Sequence, residues 1–196
     1  MERIELQSRA EAAHRQALEV LRVSGIAQVW EQAGCRVNIV GSLRMGLMAK
    51  HRDIDLHVYS SGVTVEDSFA IAARIAADPR ITEVKCINGL HTEESCVAWH
   101  FMFDYGGEMW QIDVIHIEEG SRYDGFFERM ADRIRLVMTP QQRDTILSLK
   151  FEAPDGTDWH GVEVYEAVIR DGINDADSMA RWIVAHRAMP QYYWIP

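Results

Sequence analysis

The sequence has no apolar run that approaches the roughly 18 residues of a membrane-spanning helix. Its first residues, MERIELQSRAEAAHR, are charged and lack the apolar segment of a secretory signal. The three cysteines, Cys35, Cys86 and Cys96, are odd in number and widely spaced, which is typical of reduced thiols rather than of a disulfide framework. These absences predict a cytoplasmic protein without a membrane partner.

Basic residues are also scarce, because 20 Lys and Arg stand against 30 Asp and Glu, a net charge of −10. A protein that binds mainly to a nucleic-acid backbone neutralises phosphates with clustered Lys and Arg. Nucleic acid is therefore not the expected main partner, although a local basic patch is compatible with this balance. The eight histidines do not show the spacing of zinc ligands.

A chain of 196 residues suits one domain, or one domain with a helical extension, and 47% hydrophobic residues suffice for a core. Apolar periodicity predicts an α/β fold: a small mixed β-sheet core with N-terminal helices and a C-terminal α-helical cap. The core is expected over residues 1–120 and the helical region over 121–196. The predicted helices are 3–22, 26–33, 43–48 (short), 65–77, 121–137, 140–152, 159–170 and 176–188, and the predicted strands are 36–40, 53–59, 81–87, 96–103 and 109–117.

Several local signals set boundaries within this pattern. Thr64 and Thr139 are candidate N-caps, and Thr139 is followed by Pro140 at the first helical position. The pair Gly106-Gly107 predicts a two-residue hairpin loop. Because Tyr105 then pairs with Glu108, partner numbers sum to 213 and His100 falls opposite Asp113.

The most informative stretch is VGSLRMGLMAKHRDIDLHVY, residues 40–59. In an extended strand Asp53 and Asp55 lie on one face, about 7 Å apart along the chain. This spacing suits divalent cations, which take several oxygen ligands. The alternative is an ordinary solvent-facing side of an amphipathic strand.

A third carboxylate, Asp113, lies within the apolar strand MWQIDVIHI. Burying it is costly unless it is paired or binds a metal, so it is either a metal ligand or a strand residue with a nearby Arg. The Gly41-Ser42 turn offers backbone N–H groups and a hydroxyl to phosphate oxygens. His100 would stand beside Asp113, where it either orients that carboxylate or simply packs on the sheet.

Basic residues near the turn are candidates for binding phosphate. Arg44, Lys50 and Arg52 form a cluster between Ser42 and Asp53, and solvated loop charges are an equally good interpretation. Lys150 ends an apolar helical stretch, where it either reaches a phosphate or extends its ammonium to solvent.

Together, Gly41-Ser42, Asp53-Ile54-Asp55-Leu56 and Asp113 resemble the DNA polymerase β-like nucleotidyltransferase superfamily over about residues 36–117. The small size is similar to that of its minimal, bacterial-type and antibiotic-modifying branches. The resemblance implies that the three aspartates bind Mg²⁺ or Mn²⁺ and that Asp113 helps to deprotonate an acceptor hydroxyl. It implies that Gly41 and Ser42 hold the β- and γ-phosphates of an NTP.

By this resemblance the expected reaction is transfer of a nucleoside monophosphate from an NTP to a hydroxyl of a small molecule or protein, with pyrophosphate leaving. Two alternatives stay open. One is a non-catalytic nucleotide- or partner-binding module of the same fold, such as a toxin–antitoxin component. The other is a metal-dependent phosphohydrolase. The nucleotide, the acceptor and the oligomeric state have no signal in the sequence.

Overall fold

The computed structural model describes residues 2–154, 156–189 and 193–196. This part of the chain contains eight helices and one five-stranded sheet. The helices are α1 (Arg3–Ser24), α2 (Ile26–Gln32), α3 (Gly41–Met45), α4 (Val65–Ala76), α5 (Phe126–Val137), α6 (Pro140–Glu152), α7 (Gly161–Ile169) and α8 (Ala176–Arg187), and the strands are β1 (Arg36–Ile39), β2 (Asp53–Ser60), β3 (Ile81–Asn88), β4 (Cys96–Tyr105) and β5 (Glu108–Glu118).

The strands lie in the order β1-β2-β5-β4-β3. The central pair, β2 and β5, is parallel, and the other neighbours are antiparallel, so the sheet is mixed. Parallel neighbours need a long connection, which here includes α4 and the β3-β4 strands. The predicted fold class, a small mixed sheet with helices before and after it, is confirmed.

The hairpin of β4 and β5 has the register expected from the sequence. Tyr105 pairs with Glu108 around the Gly106-Gly107 turn, and His100 pairs with Asp113. Both turn glycines have positive φ, 64° and 88°, a conformation that favours glycine. One local glycine pair therefore determines which side chain meets Asp113 six residues further along the strand.

The start of α5 differs from the prediction, which placed a helix from residue 121. The helix begins at Phe126, after Gly125 in the left-handed region with φ 64°. Before it the chain makes tight turns, in which Gly120 donates to Asp124 Oδ2 at 2.9 Å and Asp124 donates to the Ser121 carbonyl at 3.1 Å. The predicted cap at Thr139 is confirmed, because its hydroxyl accepts from the Gln142 amide.

The apolar side chains form two main cores. Ile54, Leu56 and Val58 of β2 are fully buried against α1, α2 and α4 on one face of the sheet. The second core lies among α5–α8 and also contains residues of α1 and α3, among them Leu6 and Met45. Because α1 and α3 pack into both cores, the proposed division after residue 120 stays a prediction.

A buried carboxylate attaches α5 to the sheet. Glu128 accepts hydrogen bonds from the Tyr59 hydroxyl at 2.7 Å and from Asn38 Nδ2 at 2.8 Å. Such a group is costly to bury without partners, and both partners come from strands. This contact holds the helical region over the sheet face that carries Asp53 and Asp55.

None of the described helices has both the length and the apolar character required to cross a membrane.

On the opposite sheet face, His116 belongs to a buried polar chain. Trp99 Nε1 donates to Ser68 Oγ at 2.8 Å, and His116 Nδ1 lies 3.2 Å from the same oxygen. The other ring nitrogen of His116 lies 2.8 Å from Ser60 Oγ. The imidazole is 1% exposed, and burial lowers its pKa to about 4. It is therefore neutral in the folded protein at neutral pH.

This lowered pKa predicts a pH-dependent stability. As pH falls from 6.5 towards 4, the unfolded chain gains a proton at His116 that the folded chain does not bind. This residue alone should reduce the free energy of unfolding by roughly 2 kcal/mol between about pH 7 and about pH 5. Urea denaturation of His116→Asn should show a correspondingly smaller decline. His91→Asn, in an exposed loop, is the control and should keep the wild-type decline; equal declines in all three proteins would contradict the assignment.

Candidate active site

The three aspartates are brought together by the parallel pairing of β2 and β5. Asp55 lies beside Asp113 in this register, and Asp53 lies beside Gln111. The intervening Ile54 is 0% exposed on the other face, which orients the carboxylates of Asp53 and Asp55 towards the helical region. The alternation predicted from the sequence therefore holds, and it places the three carboxylates on one side of the sheet.

Asp55 lies directly against the turn that opens α3. The Val40 amide donates to the Asp55 carbonyl at 3.0 Å, and the chain then enters α3 at Gly41. A Cβ atom on Gly41 would lie 1.9 Å from Asp55 Oδ2, a distance too short for any side chain at this position. The φ angle of Gly41 is +60°, so both the space and the backbone require glycine here.

The electrostatics of Asp55 are unfavourable in the absence of a cation. Burial, together with the charges of the neighbouring Asp53 and Asp113, raises the pKa of Asp55 to about 7. Lys150 acts against this rise. Ionised Asp55 therefore costs stability at neutral pH, and a bound cation would relieve that cost.

Asp113 is held by two polar side chains. Gln111 Nε2 donates to both of its carboxylate oxygens at 3.0 Å, and His100 Nδ1 lies 2.7 Å from Oδ1. The side chains of His100 and Asp113 are 27% and 20% exposed, so the pair is reachable from solvent. Gln111 was missed by the sequence analysis, although its position two residues before Asp113 places it on the same sheet face.

Ser42 lies in a polar cluster that joins the turn to the helical region. Lys150 Nζ donates to Ser42 Oγ at 2.9 Å and to the Leu47 carbonyl at 2.8 Å. The Tyr165 hydroxyl lies 2.9 Å from Ser42 Oγ. Tyr165 was also missed; a tyrosine within the apolar stretch of α7 needs a partner for its hydroxyl, which is the signal that could have identified it.

These groups line a cavity of about 890 Å³ between the sheet and the C-terminal helices. Its walls include seven of the predicted residues, namely Gly41, Ser42, Lys50, Arg52, Asp53, Asp55 and Lys150. They also include residues that the sequence did not indicate, among them Met102, Gln111, His160 and Tyr165. Asp113 and His100 lie beside this cavity on the next strands of the same sheet face.

The structure does not bring Arg44 to the cavity. Its guanidinium forms a two-pronged ion pair with Asp132 of α5, at 2.8 and 3.0 Å, and also donates to the Ile39 carbonyl. Lys50 does line the cavity, and its ammonium donates to the carbonyl of Ala153. Of the predicted basic residues, Lys50, Arg52 and Lys150 therefore line the cavity, Arg52 while paired with Glu108, and Arg44 is placed to hold α5.

The donor set fits a hard divalent cation, which binds carboxylate oxygens. Asp55 in particular is a half-buried carboxylate next to two others of the same charge. Within residues 2–154, 156–189 and 193–196, however, no three His, Cys, Asp or Glu side chains are already arranged closely enough to hold an ion. The metal-binding role of the three aspartates thus remains a prediction.

The contact between Gly41 and Asp55 can be tested with a matched pair of variants. Gly41→Ala and Gly46→Ala both place a methyl group on a left-handed glycine at an end of α3, with φ +60° and +70°. Only the methyl group at Gly41 meets an obstacle, the Asp55 carboxylate, because nothing lies within 4 Å of a Cβ on Gly46. Gly46→Ala should cost about 1 kcal/mol of unfolding free energy, and Gly41→Ala roughly 1–3 kcal/mol more. Equal losses in urea denaturation would show that Asp55 does not lie against the turn.

No protein-family model matches the sequence, and no curated protein matches it. The folded chain is nevertheless similar to solved structures. The GLD-2/RNP-8 complex matches with a TM-score of 0.56 and 13% identity, over 86% of this chain and 61% of that one. The polymerase core of TRAMP, an RNA surveillance complex, matches with a TM-score of 0.54 and 17% identity, over 87% and 56%. The poly(A) polymerase complex of GLD-2 with GLD-3 gives 0.52 and 12%, over 84% and 57%.

This chain therefore spans little more than half the length of the structures that it matches. At identities of 12–17% the likeness concerns the fold. It covers most of the present chain, and therefore helices as well as the sheet. The chain has the nucleotidyltransferase core fold.

Proposed function

We propose that this chain is a divalent-metal-dependent nucleotidyltransferase, which transfers a nucleoside monophosphate from an NTP to a hydroxyl group and releases pyrophosphate. The observation that carries the proposal is the position of Asp55. Its carboxylate lies against Gly41, beside Asp113 of the parallel strand, with Lys150 bonded to Ser42 in the same cavity. Carboxylates, a glycine turn and a lysine around one cavity suit a triphosphate with its metal ions.

In this proposal Asp53, Asp55 and Asp113 hold Mg²⁺ or Mn²⁺. When bound, the metal supplies charge neutralisation at the phosphates and lowers the pKa of an acceptor hydroxyl. The chain's own contribution is positioning. Gln111 and His100 fix the orientation of Asp113 through the hydrogen bonds described above, which holds one carboxylate ready on the acceptor side.

The nucleotide is assigned to the cavity between the turn and α7. The hydroxyl of Ser42 and the ammonium of Lys150 would bind the phosphate oxygens, with Lys50 as a further cation at the wall. Tyr165 and Trp159 line the same cavity and offer aromatic surfaces for a base. The volume of about 890 Å³ is sufficient for a nucleotide and part of an acceptor.

The acceptor is proposed to be a small molecule or a protein. The structural neighbours include a poly(A) polymerase and the polymerase core of an RNA surveillance complex, which makes an RNA hydroxyl the competing possibility. Against RNA stands the net charge of −10 of this chain. The wall next to Asp53 contains the uncharged side chains of Met102, Met109 and Gln111 as well as basic Arg52, which is paired with Glu108.

A non-catalytic binding module is the second candidate. It is disfavoured by Asp55, because a protein that binds only a partner gains nothing from a half-buried carboxylate among like charges. A phosphohydrolase would use the same residues with water as the acceptor. The fate of the labelled α-phosphate separates all three functions.

The test uses each of the four NTPs labelled at the α-phosphate, with Mg²⁺ or Mn²⁺ and three acceptor pools: small polyols and aminoalcohols, a protein extract, and an oligoribonucleotide. We expect pyrophosphate release with label joined to a small molecule or protein, and at least a hundredfold loss in Asp55→Asn, because one lost charge-stabilising group is worth about that factor. Free nucleoside monophosphate would indicate hydrolysis, and labelled RNA a polymerase. Nucleotide binding without turnover in every pool would contradict the proposal.

His100 should affect turnover more than nucleotide binding. His100→Ala removes the partner of Asp113 Oδ1 on the acceptor side, whereas the phosphate-binding residues lie across the cavity. We expect kcat to fall about tenfold or more with the Kd for NTP nearly unchanged. His100→Asn, which keeps a donor near Asp113, should recover part of the rate. A His100→Ala enzyme with full kcat would show that this histidine only packs on the sheet.

A further inference from the structure

Strand β3 is the open edge of the sheet. It is the last strand in the order, and it pairs only with β4 in the described part of the chain. Six of its eight residues are exposed, including Val84 at 38% and Ile87 at 49%. A long edge strand with apolar side chains is a template for pairing with another strand.

The hydrogen bonds of β3 show which of its groups face outward. The Gly89 amide donates to the Cys96 carbonyl at 2.9 Å, which makes this pair a hydrogen-bonded one. In an antiparallel ladder such pairs recur at every second residue, so Ile87, Lys85 and Glu83 bond towards β4. The N–H and C=O groups of Val84 and Cys86 therefore point to the open edge.

We propose that β3 pairs antiparallel with β3 of a second copy of this chain, about a two-fold axis at Val84. In this register the outward-facing groups of Val84 exchange two hydrogen bonds with Val84 of the second copy. Glu83 then stands opposite Lys85 of the second copy, and the symmetry repeats this contact. The two five-stranded sheets join into one.

Charge complementarity supports this register. Within the described residues the side chains of Glu83 and Lys85 take part in no hydrogen bond or ion pair, and both residues are exposed. They would form two cross-strand pairs of opposite charge at positions where hydrogen bonds do not intervene and side chains approach most closely. The segment Glu83-Val84-Lys85 is thus complementary in charge to a second copy of itself that runs in the opposite direction.

Apolar contact comes from the sheet face opposite to the one that carries Glu83 and Lys85. Val84 lies on that face, and nearby Phe69 of α4 is 49% exposed while its ring packs edge-on against Trp99 at 4.7 Å. The two-fold axis brings the two copies of Val84 side by side, on the sheet face where Phe69 packs against Trp99, the partner of Cys86 in β3. Association would remove this exposed apolar surface from water.

An irregularity limits the length of the ladder. The register of β3 against β4 shifts between Ile81 and Glu83, a bulge that bends the start of the strand. In the register about Val84, residues after Lys85 would face residues before Glu83, so regular pairing covers residues 83–85 of each copy. The dimer is therefore expected to be weak and reversible. A competing register, centred on Cys86, would place Lys85 opposite Ile87 and would not depend on Glu83.

The test is sedimentation equilibrium of the full chain over about 1 µM to about 500 µM, a range that brackets weak and moderate affinities. We expect a reversible dimer for the wild type. Glu83→Lys and Lys85→Glu should each weaken the dimer at least tenfold, because like charges then oppose each other twice. The double variant Glu83→Lys with Lys85→Glu should restore it, and so should an equimolar mixture of the two single variants.

Both substitutions are at exposed positions, and circular dichroism with thermal denaturation verifies that each variant is folded. A wild type that stays monomeric at the highest concentration would overturn the proposal. So would single variants that dimerise as well as the wild type, which would favour the register centred on Cys86 or another surface. The outcome does not depend on the proposed enzymatic activity.

Discussion

The close approach of the Asp55 carboxylate to Gly41 is the contact on which the site depends. It requires a residue without a side chain at the start of α3, and it holds a half-buried carboxylate beside Asp53 and Asp113. This arrangement is unfavourable for the ionised form of Asp55, since burial and like charges both raise its pKa. A divalent cation would offset that cost, and this connects the shape of the turn with the proposed chemistry.

The C-terminal helices complete the site that the sheet begins. Lys150 of α6 and Tyr165 of α7 meet Ser42 across the cavity, and Glu128 of α5 binds Tyr59 and the strand beside it. These contacts join polar groups on α5, α6 and α7 to Ser42 and to the sheet. They therefore hold the helical region in one position over the carboxylates. The helices therefore form a wall of the site rather than an appendage, which agrees with a fold likeness that covers most of the chain.

The fold and the strand carboxylates could be predicted because local patterns determine them. Alternation along β2 placed Asp53 and Asp55 on one face, and the Gly106-Gly107 turn fixed the pairing of His100 with Asp113. Contacts between distant segments could not be predicted in this way. Arg44 turns to Asp132, 88 residues away, and Tyr165 meets Ser42 from 123 residues away, so their neighbours depend on helix packing that no periodicity encodes.

The central claim is that the half-buried carboxylate of Asp55 is placed for a cation. The most direct test compares the unfolding free energies of the wild type and of Asp55→Asn at about pH 8, above the raised pKa of Asp55. Without divalent metal the variant should be at least as stable as the wild type, because it buries an amide in place of a repelled charge. Added Mg²⁺ should stabilise the wild type and leave the variant unchanged. A variant that is less stable without metal, with Mg²⁺ stabilising both proteins equally, would contradict the account.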